Sequence, residues 1–486
     1  MGSVSKASKI NAGAAQINIT PEMDTQLAGS FGLRRPAEFV MEPIFARVLV
    51  LESNDMKVCI ISLDLCVATR EWCDKIRIGA EEKYGISKEN VVVHVVHNHA
   101  APSLGHYNVS AACNLLPEGD EWTWVKGGDD RYHTYVVEKT LLTIGNAIEK
   151  LQPANIGVCR GIDGRFAFNR RYIMRDGTVT GKPGRCNPEI LCMESTSDPE
   201  VGVALITNDR LENIAVLLHH TCHTVHNFPL NYISHGWPGE WCKSMQDRLG
   251  SECVPLVING FSGNVFHENL LDPDHVTESR RDLSDYKKMG MGLAQTSFKA
   301  LQGLRYIENP VMKVKSRHID IPINIISQEG IDKAREMLSK YPTPKMKDGL
   351  LFEKFPYCTE VFQKDQVSEG IDWEWLDALK VIDTNNEDCT DNTFNYEIQV
   401  FRIGDLTIVT AGGEPFVQGQ LKIKLNSPAR YTFIAEMSNY HAGYIPIKQA
   451  FETGGYETWG LVSRLHPDAL ELIVDTAKEL LEEIFQ

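Results

Sequence analysis

Short apolar runs of strand length recur along the chain, with helically spaced stretches between them. Phe45–Leu51, Val58–Leu63, Val91–Val96, Val201–Thr207, Ile214–Leu218 and Val254–Ile258 read as strands in the first half. Val311–Val314, Ile398–Phe401, Leu406–Thr410 and Tyr431–Ala435 continue the series. Arg131–Leu151 predicts a long amphipathic helix, with Tyr135, Val136, Leu141, Leu142, Ile144 and Ile148 spaced for one face. Pro238–Leu249 opens with proline in the first turn, a favoured place for it. Leu283–Leu301 and Asp468–Phe485 are further helices. The mixture predicts an α/β fold, or α+β with substantial sheet, in one large domain spanning 1–486. Residues 339–395 stand apart, being rich in Lys, Asp, Glu, Pro and Asn. They read either as a solvated insertion within that domain or as a lid over a pocket.

Composition narrows the classes. The 486 residues carry 49 Lys+Arg against 65 Asp+Glu, a formal charge of −16, which argues against nucleic acid or an anionic membrane as a partner. No apolar run reaches 18 residues, so no membrane span is expected, and the N-terminus lacks the apolar core of a secretory signal. Twelve cysteines without a CxxC pair exclude zinc ribbons and thioredoxin-like motifs. Free thiols in a reducing, cytoplasmic setting are the expectation.

Histidine is where chemistry shows. His94, His97 and His99 fall in VVVHVVHNHAAPS, at the end of a predicted strand, a common place for α/β enzymes to put function. His94, inside the apolar run, reads as a core residue. His97 and His99 are two apart, so in an extended segment they share a side. LLHHTCHTVHNFPLNYISH holds His219, His220, His223, His226 and His235, five imidazoles within 17 positions. One or two are candidate ligands and the others second-sphere or surface residues, since each buried imidazole needs partners. In LTIVTAGGEPF a strand ends in two glycines and presents Glu414, suited to a metal, to acid–base work or to a helix N-terminus. MSNYHAGYIPIKQAFETGGYE is dense in tyrosine: Tyr440, Tyr444 and Tyr456. Two histidines and a carboxylate with one position left for water form a common catalytic zinc pattern.

Taken in order, HNHAAP at 97–102, Asn169-Arg170, TCHTV at 221–225, GGEPF at 412–416 and SNYHAGY…GGYE at 438–457 resemble the catalytic domain of the neutral, non-lysosomal ceramidase family. The resemblance implies mixed sheets flanked by helices and one zinc ion per chain, held by His97, His223, Glu414 and Tyr444. It places His99 beside the metal as a proton-transfer or oxyanion-stabilising group, with Arg170 and Tyr456 facing the substrate. Zinc-bound water would then cleave an amide bond. The chain departs from the family at GNVFHEN, 263–269, where Asn264 and Phe266 replace an Asp and a Ser, and at His235, where relatives often carry Asp. The family's C-terminal β-sandwich is not expected after the last helix. His106, His235, Asn264 and Phe266 are therefore the expected substrate-facing wall for a small, polar molecule rather than ceramide. Cleavage of a glycosidic or ester bond in a sugar-like substrate is the alternative, and a non-catalytic metal- or ligand-binding protein is a third reading.

Overall fold

The computed structural model describes residues 10–54, 56–181, 183–184, 186–226, 228, 230–273, 285–308, 310–347, 370–384, 389–390 and 392–486. Two sheets dominate. The larger runs, edge to edge, Val254–Asn259, Asn213–His220, Glu200–Asn208, Gln152–Ile162, Ile10–Asn18, Phe45–Ser53, Met56–Leu63 and Val91–Val95, with Arg305–Tyr306 added beside Gln152–Ile162. The second orders Met312–Pro322, Thr393–Ile403, Leu406–Thr410 and Tyr431–Ala435, with Cys389–Thr390 added on Thr393–Ile403. Every strand expected from the hydrophobic runs is present, most of them a residue or more longer.

Alternation along the strands sorts their side chains into layers. In Phe45–Ser53, Ala46, Val48 and Val50 meet the helices Arg70–Tyr84 and Asp130–Glu149, while Leu49 and Leu51 face the second sheet. In the second sheet, Ile408 and Phe433 point back toward the first. Val409 and Ile434 point out toward Val417–Asn426 and Ala469–Phe485. Helices Gly236–Leu249 and Asp285–Ala300 cover the other half of the large sheet. The chain is thus a four-layer stack of helices, sheet, sheet and helices, with the central strands burying both of their faces. Among the described residues no helix is long and apolar enough to cross a membrane.

Two central strands carry no hydrophobic run that predicts them. Ile10–Asn18 reads INAGAAQIN, rich in small residues because a helix lies directly on it: a Cβ at Gly13 would sit 2.0 Å from the Ala147 carbonyl oxygen. Gln152–Ile162 carries two glycines, and a Cβ at Gly157 would strike the Leu304 side chain. The segment 339–395 divides. Residues 348–369, within the expected lid, lie outside the described residues. Trp373–Thr384 is a helix whose Trp375, Leu376 and Leu379 are buried against Val109 and Val125, so this part is no solvated insertion.

Three parallel strand pairs set up the site. Met56–Leu63 lies parallel to Val91–Val95, Asn213–His220 to Val254–Asn259, and Leu406–Thr410 to Tyr431–Ala435. The loops leaving their carboxyl ends are tied together: Asn439 N donates to Val93 O, Glu436 N to Asn259 O, His99 N to Thr224 O, and Gly263 N to Pro415 O.

Candidate active site

The loop after Val91–Val95 turns sharply at His97, whose φ of 59° is uncommon for a residue with a side chain. Neighbouring bonds hold the turn. Asn98 N donates to Leu65 O at 2.9 Å, and the Asn98 amide donates to Ser234 O at 2.6 Å. His97 and His99 therefore do not share a side by being extended. The left-handed turn swings them together, with Nε2 atoms 3.2 Å apart and rings edge to face.

His223 arrives from the end of Asn213–His220 and Glu414 from the end of Leu406–Thr410. His97 Nε2 lies 3.1 Å from His223 Nε2 and 3.3 Å from Glu414 Oε2, and His223 Nε2 lies 3.1 Å from the same oxygen. Ligand atoms bound at about 2.0 Å around a tetrahedral ion stand roughly 3.3 Å apart. The three atoms have the spacing of one face of such a tetrahedron. His97 Nδ1 is 2.9 Å from Cys66 O and His223 Nδ1 is 2.7 Å from Ser262 O, so both rings donate on that side and turn the Nε2 lone pair inward. Glu414 Oε2 is buried without a hydrogen-bond partner. Three donor atoms converge on one point, an arrangement that a cation completes. The donor set fits zinc.

Burial works to raise the Glu414 carboxyl, but His97 and His223 hold it well below the usual carboxylate range. Burial pushes His223 down to about 4. Burial, with the neighbouring His97 and His223, also holds His99 well below the ordinary imidazole value, so its ring is neutral at pH 7.

A wall of rings and one cation stands beside this cluster. Tyr444 pairs with Glu414 in a short parallel ladder and stacks near-parallel to His223, ring centres 6.4 Å apart. Tyr456 meets Tyr444 edge to face at 5.5 Å. The Arg170 guanidinium lies 5.4 Å from the Tyr444 ring centre. Its Nε lies 2.9 Å from Glu457 Oε1 in a buried ion pair, and its Nη2 donates to Gly263 O at 2.7 Å. Arg170 is therefore not an open bidentate fork for a substrate anion.

The expected substrate wall is dispersed. His235 begins the helix Gly236–Leu249 and faces Glu240 at 3.5 Å and the Tyr286 ring. The Asn264 amide is committed to another helix start, accepting from Val417 N and donating to Gln418 Oε1, both at 2.9 Å. Phe266 pairs with Phe168 and packs on His267, and the carbonyl of the preceding Val265 accepts from His223 N. His106 lines a cleft of about 1410 Å³, its Nε2 3.2 Å from Asp130. That cleft reaches the cluster along the loop Tyr440–Gly443 rather than containing it. His94 is the core residue expected: Nδ1 meets Glu436 O and Nε2 accepts from Asn259 N. His219 and His220 are fully buried strand residues, stacked on Phe433 and edge-on to Trp237, rather than surface groups.

Sequence reasoning passed over three residues. His441, in the tyrosine-rich motif, places Nε2 3.3 Å from Glu414 Oε1. Glu436 holds Ser262 through its hydroxyl and through its amide at 2.7 Å, and burial raises its carboxyl to about 8. Arg35 is wholly buried and donates to Ala28 O, His99 O and Leu230 O. Only His441 had a visible signal, a histidine inside a motif already marked.

No protein-family model and no curated protein sequence matches the chain. Solved structures do. Neutral ceramidase from Pseudomonas aeruginosa superposes with a TM-score of 0.71 at 18% identity, over 98% of this chain and 75% of that one. A ceramidase complexed with C2 gives 0.69 at 16% identity, over 98% and 76%. The chain has a neutral-ceramidase-like fold.

Proposed function

We propose that this chain is a zinc-dependent hydrolase that cleaves an amide bond in a small-molecule substrate. The observation that carries the reading is the convergence of His97 Nε2, His223 Nε2 and Glu414 Oε2 at 3.1–3.3 Å, with both imidazoles pinned from behind. That the fold is shared with proteins named as ceramidases supports an amide as the bond. In this reading His97, His223 and Glu414 hold one zinc ion, and Tyr444, beside Glu414 in the ladder, takes a fourth place. When bound, zinc supplies Lewis acidity, polarising a carbonyl and bringing the pKa of water to about 7.

His99 is neutral and adjoins the cluster, so its ring takes a proton from the attacking water and then passes that proton to the departing nitrogen, returning to the neutral form. Arg170, fixed by Glu457 and Gly263 O, keeps a positive charge beside Tyr444 where negative charge develops on the substrate oxygen. Tyr456 packs edge to face against Tyr444 and helps hold that ring in place. The ten cysteines whose side chains are described are all free thiols, which supports a cytoplasmic setting.

The test is metal analysis of the purified chain, followed by a panel of soluble amides, esters and glycosides with detergent-dispersed ceramide alongside. About one zinc per chain and amide turnover that a chelator abolishes are expected. Turnover of glycosides or esters with no amide product would overturn the bond assignment. Undiminished activity in metal-stripped protein would overturn the mechanism.

A further inference from the structure

We propose that His441 is a positioning residue that fixes Glu414 as a metal ligand from the cleft side; this rests on reading His97, His223 and Glu414 as a metal site. Glu414 divides its two oxygens. Oε2 faces His97 and His223, while Oε1 meets His441 Nε2 at 3.3 Å. A carboxylate held by a donor on one oxygen presents the other in a set direction, and such outer partners commonly tune metal affinity.

The backbone makes the contact rigid. Gly413 N donates to Tyr440 O and Glu414 N to Gly443 O, so the two loops are joined on either side of His441. Gly413 has a φ of +81°, and a Cβ there would lie 2.5 Å from Gly443 O. At Gly412 a Cβ would lie 2.2 Å from the Tyr440 ring. Only glycine lets the loops approach this closely. The far loop is strained as well. Met437 and Asn439 have φ values of 49° and 65°. Asn439 is held there by Val93 N, which donates to its Oδ1 at 3.0 Å, and by Gln399 Oε1, which accepts from its Nδ2 at 2.8 Å. Strain kept in place by such bonds marks a segment whose position matters. What it positions is His441, which lines the cleft and touches the cluster carboxylate.

The test is zinc affinity of the full chain, read by chelator competition, and the absorption spectrum of the cobalt-loaded protein. His441→Phe keeps the ring and removes the N–H; His441→Gln keeps a donor at nearly the same reach. Phe is expected to weaken zinc binding 10–100-fold and to shift the cobalt bands, and Gln to restore both to within about threefold. Wild-type affinity and spectrum in His441→Phe would overturn the proposal. Equal loss in Phe and Gln would also overturn it, making His441 a ligand or a packing residue. His223→Ala is the companion. Full zinc content there sinks the metal site itself, whereas loss there with an unchanged His441→Phe sinks only the role of His441.

Discussion

His97 Nε2 and His223 Nε2 lie 3.1 Å apart although 126 residues separate them, and each ring is anchored on its other nitrogen by a backbone carbonyl from a third or fourth loop. No single strand end makes this site. Cys66, His97, His223, Ser262, Glu414 and Tyr444 follow six different strands, and the three parallel pairs bring those ends to one place.

Removing either imidazole or the carboxylate removes the metal. His97→Ala, His223→Ala and Glu414→Ala are each expected to lose bound zinc and hydrolytic activity together, because three donors at 3.1–3.3 Å act as one unit. Metal content by atomic emission checks this. Any of the three keeping a full equivalent of zinc would remove that residue from the ligand set.

His99 separates from the ligands by this measure. His99→Ala is expected to retain zinc and lose on the order of 10²–10⁴ in kcat. Gly29→Ala should do the same in milder form, since a Cβ there would lie 2.4 Å from His99 Nδ1 at a φ of +104°. Normal turnover in a metal-replete His99→Ala protein would make the residue structural.

Arg35 carries a buried cation with three carbonyl partners, and burial lowers its pKa to about 10. Its guanidinium also lies 4.8 Å from the Phe228 ring centre, and Phe228 meets the His99 ring edge-on. Arg35→Met is expected to lower kcat by on the order of 10²-fold through displaced His99, with zinc retained and Arg35→Lys intermediate. Kinetics and metal content on the same samples decide it.

Far from the site, Arg77 and Glu397 form a two-pronged pair, both bonds 2.8 Å, between the helix Arg70–Tyr84 and the second sheet. Burial works to raise Glu397, but Arg77 outweighs it and the carboxyl is lowered. Its contribution to stability is therefore present above about pH 4.3, the unfolded value, and is lost as pH falls through the lower folded value. Glu397→Gln is expected to cost about 3 kcal/mol at pH 7, with the gap to the wild type closing below pH ~4. Urea unfolding at several pH values measures it; a gap that stays constant down to pH ~3 would refute the pairing as its source.

The hydrophobic runs by themselves determined ten strands, because a strand buried on both faces must be apolar nearly throughout, as Val91–Val95 and Leu406–Thr410 are. They also determined four helices, whose apolar faces repeat with helical spacing. The ordered motifs carry a resemblance that implies His97, His223, Glu414 and Tyr444 as one ligand set. Tertiary structure alone decided the rest. Ile10–Asn18 is a strand because a helix pressed on Gly13 needs small residues, a demand that leaves no hydrophobic run to read. His97 and His99 meet through a left-handed turn held by Leu65 and Ser234, partners that local spacing does not contain. Motif position points to Asn264 and His235 as pocket residues, yet the Asn264 amide is engaged by Val417 N and Gln418 at the start of another helix, and His235 faces Glu240 from the start of its own. A polar side chain near a site in sequence belongs to it only if no closer partner claims its hydrogen bonds, and that competition is settled in three dimensions.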